Sequence, residues 1–292
     1  MPFNEKSRLD PSQIQDRRGR STGTRIAIGG GGLGLLIVVV ALLMGVNPTN
    51  LSELLGSTSV ATDTIAGGVS DLSTACQTGA DANKSQECAI VGYVNSIQAF
   101  WSDEFALQGA GYTEAQTILY TGSTDAACGY ASSAMGPFYC PNDQSVYLDL
   151  SFFDQLQLKY GAEGGPFAEA YILAHEYGHH VQNLLGALDT SGSSSDTGPQ
   201  SESVMTELQA DCLAGVWMNN AVETGYIDQV SDQDIEQSLN AAAAVGDDRI
   251  QSETQGYISP ETWTHGSSEQ RQAALKDGLG LGTIETCNTP DW

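Results

Sequence analysis

The stretch Tyr171-Ile172-Leu173-Ala174-His175-Glu176-Tyr177-Gly178-His179-His180 decides how the rest of the chain is read. It contains the pattern H-E-x-x-H in His175, Glu176 and His179. Residues four apart share one face of an α-helix, so both imidazoles can reach a single metal ion. Glu176 can reach the solvent side of that metal, where hydrolysis needs a base for water. The flanks favour a helix from about residue 167 to residue 185, with Gly186 as its stop signal. Gly178 costs such a helix about 1 kcal/mol relative to alanine.

A catalytic zinc takes three protein ligands and keeps a further position open. The missing ligand is expected from the apolar helical segment at residues 204–217, which follows a low-complexity loop at residues 188–203. There Glu207 lies 28 residues beyond His179, and Asp211 follows four positions later on the same helix face. Glu207 is expected to bind the zinc, one ion per chain. Asp211 is expected to orient a ligand imidazole through its second nitrogen. Of the remaining histidines, His180 lies about 100° round the helix from His179 and reads as structural. His265 is either a donor to the oxyanion of a tetrahedral intermediate or a fold-stabilising side chain, with Arg271 a partner of nearby acids.

Charge divides the chain. Six of the 11 basic residues and three of the 36 acidic ones precede residue 26, and the remainder is strongly acidic. That balance excludes nucleic acid as a partner, because phosphate binding needs lysine and arginine. Residues 26–46 carry no charge, and as a helix they would extend about 31 Å, enough to cross a bilayer. The expectation is therefore a basic cytoplasmic tail (residues 1–25), one transmembrane helix (26–46), a flexible stalk (47–74) and an extracytoplasmic domain (75–292). Six cysteines, all beyond the apolar run, fit an oxidising compartment. The expected pairs are Cys76 with Cys88 and Cys128 with Cys140, which close short loops, leaving Cys212 with Cys287. Helices are expected at residues 89–101 and 232–245, and a stapled loop at 128–140. Residues 145–153 read as a strand, a candidate for the edge strand that zincin metalloproteases place beside the motif helix.

Taken together, HEYGHHVQ (175–182), ELQADCLAGVW (207–217), residues 128–153, residues 240–251 and THGSSEQR (264–271) resemble the bacterial membrane-anchored neutral zinc metallopeptidase family, a gluzincin-like pattern. The resemblance implies zinc-dependent hydrolysis of peptide bonds, with His175, His179 and Glu207 as ligands and Glu176 as general base. THGSSEQR also resembles the Thr-His-Pro segment of membrane-bound heat-shock metalloproteases, which implies an oxyanion role for His265; Gly266 stands where that segment has proline. The expected fold is mainly helical α+β, a zincin-like domain with a small sheet preceded by one transmembrane helix. Its expected partners are a peptide or protein substrate and the membrane. The alternative is a non-catalytic, zinc-stabilised envelope module that binds peptides or partner proteins.

Overall fold

A computed structural model describes residues 3–19, 71–188 and 196–288. Most of them are helical: α1 (Leu72–Ala75), α2 (Gly79–Ala82), α3 (Gln86–Leu107), α4 (Ser151–Tyr160), α5 (Pro166–Leu184), α6 (Glu202–Asn220), α7 (Asp232–Ala244), α8 (Asp247–Gln255) and α9 (Ser268–Leu281). Strands β1 (Ile14–Asp16), β2 (Gln116–Tyr120), β5 (Phe138–Cys140) and β6 (Ser145–Asp149) form one sheet in the order β1-β2-β6-β5. Its strands are parallel except β5, which runs antiparallel to β6. A hairpin of β3 (Ser123–Ala126) and β4 (Gly129–Ser132) stands beside it.

The motif helix α5 lies at the centre, packed by α3, α6 and α7. Pro166 opens it at a position where no N–H bond is required, and Gln237 Oε1 accepts the next free N–H, that of Phe167, at 3.2 Å. Every residue of α3 from Cys88 to Gln98 is buried, as expected of a helix enclosed on all sides. Gly178 has a packing reason. A Cβ there would stand 2.8 Å from the Ala210 carbonyl oxygen and 3.0 Å from its Cα. Glycine thus allows α5 and α6 to approach more closely than any side chain would permit.

The strand expected at residues 145–153 ends early. The Asp149 carboxylate accepts N–H groups from Gly122 at 2.7 Å and Ser151 at 3.0 Å, which turns the chain into α4. Phe152, Phe153 and Leu156 are then buried at helical spacing. β6 is interior to the sheet, and β5 holds the edge beside α5. Residues 128–140, read as a loop, contain β4 and β5. Three disulfides form, Cys76–Cys88, Cys128–Cys140 and Cys212–Cys287.

The N-terminal residues correct the expected topology. Phe3 is buried with its ring 4.7 Å from that of Tyr93. Asn83 accepts the Phe3 N–H at 3.2 Å and donates to its carbonyl at 2.9 Å. Asn95 treats Asp10 in the same way, at 2.7 and 3.0 Å, and β1 extends the sheet beside β2. A single-pass arrangement puts residues 1–25 and 75–292 on opposite sides of a membrane, whereas residues 3–19 share one core with residues 71–288. Among the described residues no helix is long and apolar enough to cross a membrane. The expected span (26–46) and residues 47–70 of the expected stalk lie outside the described residues. The fold is mainly helical with two small sheets, and the membrane-spanning helix and single-pass placement are withdrawn.

Candidate metal centre

The site is built where α5 crosses α6. His175 and His179, one turn apart on α5, face Glu207 on α6, and one ligand atom from each lies within 4.8 Å of the others. His175 Nε2 is 3.1 Å from Glu207 Oε2, and His179 Nε2 is 3.5 Å from Glu207 Oε1. Both rings are held by their other nitrogen. His175 Nδ1 donates to Asp211 Oδ1 at 2.8 Å, and His179 Nδ1 donates to Gln182 Oε1 at 2.8 Å. With each Nδ1 engaged, the Nε2 atoms are the ones presented to a metal.

Asp211 is itself gripped. Arg271 donates Nε to Oδ2 at 2.8 Å and a terminal nitrogen to Oδ1 at 2.9 Å, while the Tyr171 hydroxyl donates to Oδ1 at 2.5 Å. Asp211 and Arg271 are both buried. Burial works against the Asp211 carboxylate, but Arg271 and His175 outweigh it and bring the group down to about 2. Burial also disfavours a charged His175, yet Asp211 and Glu207 raise it to about 10. Glu207 is pushed up by burial and pulled further down by His179 and His175, ending well below the usual carboxylate range. A cavity that favours protonated imidazoles beside a carboxylate is one where a cation is stabilised, and metal binding displaces those protons. Two imidazole nitrogens and one carboxylate oxygen, oriented from behind, fit the donor set of a catalytic zinc.

Glu176 is buried, and burial raises its carboxyl. It lines a cleft of about 380 Å³ together with His175, His179, Glu207 and His265. His180 points elsewhere: Nε2 donates to the Thr113 carbonyl at 2.6 Å, and Nδ1 accepts from the Tyr139 hydroxyl at 2.9 Å. Burial lowers its pKa, so it is a neutral, fully partnered ring that ties α5 to β5. His265 is half exposed. Its backbone N–H donates to Asp247 Oδ2 at 2.6 Å, and its Nδ1 lies 2.9 Å from Thr264 Oγ1 and 3.3 Å from Asp247 Oδ1. Burial lowers its pKa, but Asp247 and Glu207 reverse that and leave it raised. Gly266 follows at φ 89°, a conformation closed to the proline of the heat-shock segment, whose ring fixes φ near −65°.

One supporting residue, Gln182, is not singled out by the sequence. It lies three positions after His179, within reach on the same face, and also donates to the Thr206 carbonyl at 2.7 Å and Gln209 Oε1 at 2.9 Å. Arg271, expected as a partner of nearby acids, is one: it pairs with Asp211. Its place in the first turns of α9 follows from Ser267 and Gln270, whose capping box opens that helix at Ser268.

A site of this composition on this scaffold is a candidate metal centre. The family model described as "Putative neutral zinc metallopeptidase" matches residues 3–290, and the chain belongs to that family. Among its relatives, the uncharacterized protein Rv2575 of Mycobacterium tuberculosis is 47% identical over 257 residues, 85% of this chain and 84% of the relative. The uncharacterized protein YpfJ of Escherichia coli is 36% identical over 296 residues, 97% of each chain. No solved structure matches the chain.

Proposed function

We propose that the protein is a zinc-dependent peptidase in which His175, His179 and Glu207 hold the metal and Glu176 is the general base. The reading rests on the convergence of those three ligand atoms within 4.8 Å, with Glu176 lining the cleft beside them. A zinc ion held there supplies Lewis acidity for hydrolysis near neutral pH. Glu176 takes a proton from the attacking water and returns it to the leaving amine. Its burial, which raises its affinity for that proton, suits the first half of the exchange. His265, drawn toward its protonated form by Asp247 and Glu207, donates from Nε2 to the oxygen that gains charge on the scissile carbonyl. Asp211 and Gln182 are positioning residues that act through the two ligand imidazoles. β5, which has no strand partner on its outer side among the described residues, and residues 134–139, which line the cleft, can take an extended peptide by strand addition.

The test is peptide cleavage by zinc-loaded full-length wild type and Glu176→Gln. Hydrolysis by the wild type alone, at equal zinc content, is the expected result; equal hydrolysis by the variant would remove Glu176 from the chemistry.

A further inference from the structure

A second hollow of about 680 Å³ adjoins the cleft, and Glu207 and His265 line both. The metal centre therefore sits between two recesses, each large enough for a stretch of peptide. The recesses differ in character. The one containing Glu176 is walled by Phe152, Tyr160, Ile172, Val245 and Ile250. The other is mixed: Gln200, Ser203, Thr206 and Gln209 line it together with Leu188 and Met205, and the exposed carboxylate of Glu202 stands at it.

A side chain that anchors a chain terminus for an exopeptidase carries the opposite charge. Among the described residues lining the two recesses, the only arginine or lysine is Arg271. Each of its nitrogens is already engaged: Nε with Asp211, one terminal nitrogen with Asp211 and Tyr171, and the other with the Val245 carbonyl. The other side chain there that can carry positive charge, His265, is given to the scissile carbonyl, and a terminal carboxylate would also face Glu176 and Glu207. A terminal ammonium could meet Glu202, but that residue lies five positions before Glu207 on α6, about 7.5 Å along the axis. That is about two residues of extended peptide, too far to anchor the residue at the scissile bond.

We infer that the site is an endopeptidase site, taking an apolar side chain in the Phe152–Ile250 recess and a basic side chain near Glu202 on the other side of the bond cut. The inference rests on the peptidase reading above and adds its substrate class. The acidic chain, net −25, concentrates cationic peptides around it.

The experiment uses zinc-loaded full-length protein and a peptide mixture with both termini blocked, alongside the same peptides unblocked, with products read by mass spectrometry. The expected result is internal cleavage of blocked and free peptides alike, with apolar residues enriched on one side of the bond and Lys or Arg about two residues away on the other. Glu202→Lys should lower kcat/KM for the basic peptides by up to about fivefold and favour acidic ones, the scale of an exposed ion pair. Cleavage confined to free peptides, one or two residues from an end, overturns the inference while leaving the peptidase intact. Unchanged side-chain preference in Glu202→Lys overturns the assignment of Glu202. No cleavage of either set overturns the peptidase reading itself, and the inference with it.

Discussion

Replacing Gly178 with alanine separates two physical effects that point in opposite directions. Helix propensity alone favours Gly178→Ala by about 1 kcal/mol. The structure predicts the reverse. The added methyl would meet the Ala210 carbonyl oxygen at 2.8 Å and Ala210 Cα at 3.0 Å, and backbone atoms cannot rotate aside. Restoring ordinary contact distances, about 3.5 Å, requires α5 and α6 to separate by roughly 0.5–0.7 Å. Overpacking of this kind costs about 1–3 kcal/mol. With an unyielding partner the upper end applies, leaving a net loss of about 2 kcal/mol after the helical gain. The same displacement moves the two imidazoles of α5 away from Glu207 on α6, beyond the tolerance of about 0.2 Å for metal–ligand bonds. Urea denaturation of the metal-free full-length protein and zinc titration against a competing chelator read the two consequences independently. The expected outcome is a lower midpoint together with weaker zinc binding. A variant as stable as wild type, or more so, with unchanged zinc affinity would refute the close-crossing argument.

The N-terminal arm should be as integral as any helix: Phe3→Ala is expected to cost about 3–5 kcal/mol, and an unchanged melting temperature would show that residues 3–19 do not belong to the core. Arg271→Met leaves the buried Asp211 charge without its partner, at a cost of about 3–5 kcal/mol, and frees the His175 ring; retained stability and zinc affinity would contradict that role. Gln182→Ala should weaken zinc binding about 10–100-fold, the usual effect of losing a group that orients a ligand, read by chelator competition. Glu169, raised by burial to about 7, supplies a pH test. Its folded-state value exceeds the unfolded value of about 4.3, so its contribution is complete below about pH 4 and is lost as pH rises through about 7. Glu169→Gln should match wild type near pH 4 and exceed it at pH 8 by on the order of 1–3 kcal/mol, discounted for its partial exposure. Parallel stability profiles for the two proteins would contradict the shift.

The centre was legible because its spacing is local. His175 and His179 declare themselves by a separation of four, as do Glu207 and Asp211, and the helices that carry them are long and apolar enough to show their period. The arm was not legible, because what holds it is remote in sequence: Phe3 is gripped by Asn83 and Tyr93, Asp10 by Asn95. Its basic residues invited a topological reading, yet Arg18 pairs with Asp16 at 2.7 Å and Glu87 at 3.4 Å within the fold. β1 and β5 have three residues each, too few for alternation to register, and α4 was hidden because strand formers run without a break across Asp149 into Phe152 and Phe153.

The most direct test of the account is the zinc content of full-length wild type and Glu207→Ala, with X-ray absorption of the bound metal. One zinc per wild-type chain, with two imidazole nitrogens at about 2.0–2.1 Å and a carboxylate oxygen at about 2.0–2.2 Å, and loss of most of the zinc in Glu207→Ala, is the predicted result. Full zinc occupancy in Glu207→Ala, with the same coordination shell, would contradict the centre described here.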